Sequence, residues 1–237
     1  MKIGAITVGQ APRVDVTADI MDILGPGVEL LERGGLDGLT REEIAAFAPQ
    51  GDDYVLVSRL TDGSSVTFAE KYVIPRLQAA IDELEAGGVK MIMVFCTGAF
   101  PAELTSHVPM LFPNDLIQAV VPLQTKRSSI ITVTPSPLQI EQNQQKWQNY
   151  VKKCRTIAVS PYDGVEAVAA AAKQIADTDA DLIVLDCIGF TKQMKEIFMK
   201  ETGKPVMLLQ KMFYRCVFVA SGMNQRYKKD VIKFIKR

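Results

Sequence analysis

Apolar residues in this chain alternate between short continuous runs and spaced stripes, and the two patterns predict strands and helices in turn. Lys2 to Val8 reads as a first strand and Val28 to Glu32 as a second. Between them, Val14, Ala18, Met21 and Ile23-Leu24 form one face of a helix, with Pro12 at its first turn and Gly25-Pro26-Gly27 as its stop. Thr40 and Glu43 have the spacing of a capping box opening a short helix to Phe47. Tyr54 to Leu60 and Ser65 to Phe68 are β-like and flank Thr61-Asp62-Gly63-Ser64, a hairpin signal. A helix from about Pro75 to Glu85 leads into the apolar run Met91 to Phe95, and Asn114 is expected to cap a helix through Val121.

The order then starts again. A strand at Ile130 to Val133 precedes a Gln-rich helix from Leu138 to Tyr150, a strand at Thr156 to Val159 and an alanine-rich helix from Gly164 to Ala176. Leu182 to Leu185 is a strand, Lys192 to Lys200 a helix and Pro205 to Leu209 a last strand. A long terminal helix with an interruption near Gly222 completes the chain. Alternation of this kind, with continuous apolar strands, predicts an α/β fold of mostly parallel sheets flanked by helices.

Two echoes predict two pseudo-symmetric halves with a cleft between them. VKMIMVFCTGAF at 89–100 and ADLIVLDCIGF at 180–190 share an apolar strand, a cysteine, one residue and a glycine. IGAITVGQAP resembles SSIITVTPSP, with Ile6-Thr7-Val8 aligned on Ile131-Thr132-Val133 and Pro12 on Pro137. The expected division is residues 1–115 plus 222–237 for one half and 116–221 for the other. In open α/β sheets ligands bind outside the carboxyl ends of the strands, which is where Cys96 and Cys187 fall.

Composition narrows the function. At 237 residues, nearly half of them hydrophobic, the chain can bury a large core. Its formal charge of zero gives no electrostatic case for nucleic acid or a membrane surface. Four dispersed cysteines and one histidine match neither a zinc site nor a disulfide framework. No metal and no cofactor is expected. Reduced thiols, and an N-terminus that enters a strand without a signal-peptide pattern, predict a cytoplasmic protein.

The chemistry centres on Cys96 and Cys187. A strand-end loop of small residues followed by a helix N-terminus can lower a thiol pKa and hold a carboxylate. Two such thiols across a cleft could exchange protons with opposite faces of a substrate, or one could act as a nucleophile. Cys154 and Cys216 are read as structural, as a free cysteine usually behaves like a small hydrophobe. Around the strand ends, Thr7, Gly9, Gln10, Arg13, Thr97, Gly98, Thr134, Pro135, Ser136 and Gly189 can supply hydroxyls, amides or charge to an anion. Arg59, inside the apolar run VLVSRL, needs a carboxylate from the protein or from a ligand. Asp186 reads as a loop anchor, and His107 is given no catalytic task.

These residues resemble the aspartate/glutamate racemase superfamily and, more closely, the AroM family within it. The likeness runs through TVGQAPR, LTREEIAAFAP, YVLVSRLTDG, QKWQ and VLDCIGF. It implies a two-half racemase-like fold and fixes no reaction. The chain departs from amino-acid racemases at two places. Ile188-Gly189 stands where they usually have threonine and then histidine or glutamate, and Gly9-Gln10 replaces an Asp-Ser pair. The expected function is a cofactor-independent racemase, isomerase or lyase of a small carboxylate, or alternatively a non-catalytic protein that binds a small acid. The expected partner is that carboxylate, with neither nucleic acid nor membrane, and homo-oligomerisation stays open.

Overall fold

The computed structural model describes residues 1–25, 27–100, 104–116, 128–210 and 213. The elements in chain order are β1 (Lys2–Thr7), α1 (Val14–Leu24), β2 (Glu29–Gly34), α2 (Arg41–Ala45), β3 (Val55–Arg59), β4 (Ser65–Ala69), α3 (Ile74–Ala86), β5 (Ile92–Val94) and β6 (Met110–Leu111). They continue with β7 (Ser129–Thr134), α4 (Ile140–Gln148), β8 (Lys153–Ala158), α5 (Val165–Gln174), β9 (Leu182–Leu185), α6 (Lys192–Thr202) and β10 (Val206–Leu208). Among the described residues, no helix is long and apolar enough to cross a membrane.

Two four-stranded parallel sheets carry the fold. One has the order β2-β1-β5-β6, and the other, read from its far edge, β8-β7-β9-β10. The orders are equivalent strand for strand, so the second sheet repeats the first. The antiparallel hairpin β3–β4 is the insertion that lengthens the first half. β1 and β7 are central, and all but their first residues are buried, which is why they read as unbroken apolar runs.

The register corrects one alignment. Ile6 pairs with Val94, two residues before Cys96, and Val133 pairs with Leu185, two residues before Cys187. Phe95 N–H donates to Ile6 O at 2.7 Å, and Asp186 N–H donates to Val133 O at 2.9 Å. Thr7 therefore corresponds to Thr134, two residues on from the Thr132 that the sequence echo suggested. A shift of two keeps every side chain on the same face.

Helices attach through regular stripes. α3 buries Leu77, Ala80, Ile81 and Leu84. α2 starts with the expected capping box, Thr40 accepting from Glu43 N–H and Glu43 returning to the Thr40 N–H. Other starts differ. Pro12 lies ahead of α1, which begins at Val14 with Arg13 as N-cap. Asn114 sits inside a helical turn that begins at 113 instead of capping it. The rest of that helix to Val121, the terminal helix with its break near Gly222, the 222–237 return and Cys216 lie outside the described residues. Ile188 crosses between halves, packing among Ile3, Val16, Met93 and Phe95.

Candidate functional site

A tight pocket, with a cavity volume of about 40 Å³, opens where the strand ends of the two sheets face each other. The first half contributes Arg13, Tyr54, the β3 residues Leu56 to Ser58, and Phe95 to Gly98. The second contributes Thr134-Pro135, polar residues from Gln139 to Lys146, and Asp186 to Ile188.

Both strand-end cysteines line it, and their local geometry is nearly the same. Gly98 N–H points to Cys96 Sγ at 3.3 Å, and Gly189 N–H points to Cys187 Sγ at 3.4 Å. Burial nevertheless dominates both thiols. It pushes Cys96 up to about 12, against the Gly98 N–H and the charges of Lys146 and Arg13. It pushes Cys187 up to about 11, against the Gly189 N–H, Arg13 and a hydrogen bond from Tyr162. Sequence reasoning expected the opposite sign. Within the described residues after Cys96 no helix starts before 113, and α6 starts only at Lys192, so little helix potential offsets desolvation.

Arg13 is 3% exposed and holds the first half's side of the site. Its Nε and Nη2 grip Asp15 at 2.9 and 2.8 Å, Nη1 donates to Thr7 Oγ1 at 3.2 Å and Ser58 Oγ at 3.4 Å, and Nη2 reaches Tyr162 OH at 3.2 Å. Burial works against the guanidinium charge, but the Asp15 hydrogen bonds and nearby charges hold its pKa above the ordinary value. Burial also pushes the Tyr162 and Tyr54 hydroxyls up, so both stay protonated donors at neutral pH.

On the other side, Asp186 is 1% exposed and gathers three donors. Asn143 Nδ2 and Trp147 Nε1 reach its Oδ2 at 2.7 Å each, and Lys146 Nζ spans both oxygens at 2.9 and 3.1 Å. Lys146 also donates to Thr97 O of the first half at 2.9 Å. Gln142 ties the halves again, accepting from Val55 N–H and donating to Val55 O, both at 2.9 Å.

Of the residues singled out from the sequence, Cys96, Cys187, Arg13, Thr97, Gly98, Thr134 and Pro135 line the pocket. The others support it or lie away from it. Thr7 is buried beneath Arg13. Gly9 passes so close to β3 that a Cβ would sit 2.2 Å from Ser58 Oγ. Gln10 accepts from Thr61 N and Oγ1 at 3.0 Å, fastening the hairpin tip. Ser136 accepts from Leu138 N–H. Gly189 backs onto Tyr162, where a Cβ would fall 2.6 Å from the hydroxyl. Arg59 donates its Nε to Gly63 O at 3.2 Å within the hairpin, is not among the residues that line the pocket, and its charge helps to hold the Asp15 pKa down.

His107 is 98% exposed on the surface and paired with Glu85 at 2.8 Å. Sequence reasoning missed Tyr54, Ser58, Asn143, Lys146 and Tyr162. A signal existed for two of them: Asn143, Lys146 and Trp147 are spaced i, i+3, i+4 and share one helix face.

This two-sheet arrangement has solved counterparts. The aspartate racemase of Picrophilus torridus matches with a TM-score of 0.54 at 12% identity, over 96% of this chain and 97% of that one. The maleate isomerase Iso of Pseudomonas putida S16 matches with 0.58 at 14% identity, over 95% and 94%. An arylmalonate decarboxylase matches with 0.53 at 19% identity, over 92% and 91%. At such identities the likeness shows the racemase-like fold, and three different reactions on it leave the chemistry open. No curated protein sequence matches significantly. The family model described as AroM protein matches residues 3–218. The motifs that model spans include the ones the structure joins, QKWQ to VLDCIGF through Lys146, Trp147 and Asp186, and the chain belongs to the AroM family.

Proposed function

We propose that the protein is a cofactor-independent isomerase, racemase or related lyase of a small carboxylate, with Cys96 and Cys187 as its acid–base pair. The observation that carries this reading is the placement of both cysteines on one pocket, each two residues past an equivalent strand and each facing a glycine N–H. In the exchange, the Cys187 thiolate takes the proton from the carbon next to the carboxylate, and the electron pair moves into the carboxylate. The Cys96 thiol then gives its proton to the opposite face, which leaves Cys187 protonated and Cys96 as thiolate. With the opposite enantiomer bound, the two cysteines exchange roles. Tyr162 and Arg13 stabilise its thiolate, and Lys146 does the same for Cys96. The division into residues 1–115 with 222–237 and residues 116–221 belongs to the same proposal, supported by the repeated strand order. So does a cytoplasmic location, supported by the free thiols of Cys96, Cys154 and Cys187.

A second reading, a binding protein without turnover, draws on the high pKa of both thiols. Deuterium wash-in separates the two. In D2O, a bound substrate should gain solvent deuterium beside its carboxylate, with Cys96→Ser and Cys187→Ser each suppressing racemisation while keeping binding. A ligand that binds well, shows no exchange or other turnover, and binds both serine variants equally would leave only the binding role.

A further inference from the structure

Both cations on the pocket wall are already neutralised inside the protein. A guanidinium has five N–H donors, and those of Arg13 are taken by Asp15 twice, Thr7, Ser58 and Tyr162. An ammonium has three, and those of Lys146 are taken by Thr97 O and the two Asp186 oxygens. The pairs are nearly dry, with exposures of 3% and 16% for Arg13 and Asp15 and 7% and 1% for Lys146 and Asp186. Turning either cation toward a ligand would strand a buried carboxylate, which is strongly unfavourable. The reverse also holds: a ligand ammonium finds both carboxylates occupied. What remains is neutral, namely the hydroxyl and N–H of Thr97 and the hydroxyl of Tyr54. Leu56, Val57, Phe95 and Ile188 add apolar lining.

We propose that the site selects monocarboxylates whose remaining substituents are uncharged and mainly apolar, and rejects dicarboxylates and dicarboxylic amino acids. The inference rests on the small-carboxylate reading above and narrows it. One carboxylate can be held by neutral donors, as anions are at backbone N–H groups. A second, or an ammonium, would enter a low-dielectric pocket without a counter-charge.

Calorimetric titration of the wild-type protein at pH 7.5 tests this with 2-methylbutanoate and 2-hydroxy-3-methylbutanoate against malonate, maleate, aspartate and glutamate. The expected result is a Kd for at least one monocarboxylate that is roughly tenfold or more below that of every doubly charged acid. Equal or tighter binding of a dicarboxylate or an amino diacid would overturn the substrate class and leave the isomerase reading standing. Failure of all six acids to bind would overturn both. Asp15→Asn supplies a second measurement, because it releases guanidinium donors toward the pocket. Its dicarboxylate affinity should rise about tenfold, with folding checked by circular dichroism. An unchanged affinity in a folded variant would refute the donor count on which the inference depends.

Discussion

Replacing Asp186 by asparagine should weaken the fold and sharpen the thiols at the same time. Asp186 is the common acceptor of Lys146, Trp147 and Asn143, and it and Lys146 are 1% and 7% exposed. Asparagine keeps one oxygen but turns an N–H2 group toward donors and leaves the ammonium without a counter-charge. Breaking a buried pair from one side costs about 3–5 kcal/mol. For a chain of this size that is a fall in Tm of roughly 6–20 °C. Urea unfolding followed through the fluorescence of Trp147, the single tryptophan, measures it directly. Removing both charges with Lys146→Met and Asp186→Asn should cost less than the sum of the single changes, because no charge is then stranded. The thiol readout has the opposite direction. The Asp186 charge pushes the Cys187 pKa up, and the Lys146 charge pulls that of Cys96 down. With the carboxylate neutralised, both cysteines should alkylate faster with iodoacetamide at pH 8, resolved peptide by peptide. A loss of stability below about 1 kcal/mol, where exposed ion pairs fall, or unchanged alkylation of both cysteines, would refute the reasoning.

Three further outcomes follow from the same geometry. With the Cys187 pKa near 11 in the ligand-free protein, the thiolate fraction rises about tenfold per pH unit below it. Carbon-acid exchange measured as kcat/KM should therefore climb with that slope from pH 7 to 9, and a flat profile would contradict the assignment of Cys187 as base. Gly189→Ala would put a Cβ 2.6 Å from the Tyr162 hydroxyl, displacing it from Arg13. The cost should be about 1–3 kcal/mol of stability, and an unchanged urea midpoint would show that the contact is slack. Thr40→Ala removes half of the capping box on α2 and should cost about 1 kcal/mol, with no effect on exchange. A change in exchange would mean that α2 reaches the site.

What could be read from the sequence was local or periodic. The Thr40–Glu43 box depends on residues three apart, and the hairpin on a Gly63 turn between two β-like runs, so each was visible without tertiary information. The cysteine strands were visible because a strand buried on both faces is apolar throughout. The choice between Arg13 and Arg59 was not. It depends on how the hairpin turns its edge: Leu56 and Ser58 are buried on the inner face, whereas Arg59, paired with Ser65 at the hairpin end, bends back to Gly63. Lys146 was hidden for another reason. In a Gln-rich helix it looks like a solvated charge, and only the coincidence of Asn143 and Trp147 on its face marks that side as buried and polar. Tyr162 comes from the turn after β8, outside the two segments whose echo found the cysteines, so that echo could not find the hydroxyl beside one of them.

The repeat itself also hides an asymmetry. Phe95 and Asp186 hold equivalent positions, one residue before each cysteine, and donate equivalent N–H bonds to β1 and β7. One is an apolar core residue and the other a buried charge, so one thiol is backed by hydrocarbon and the other by an ion pair. The cations compensate across the seam. Arg13, from the first half and paired with the first half's Asp15, lowers the pKa of Cys187 in the second. Lys146, from the second half and paired with Asp186, is the larger cationic influence on Cys96 in the first. Each half thus carries a cysteine whose main favourable charge arrives from the other half, with its counter-ion already attached. Neither sheet alone assembles a complete thiol environment. The bond from Lys146 Nζ to Thr97 O, one residue past Cys96, makes the joining of the halves and the electrostatics of the pocket a single structural fact.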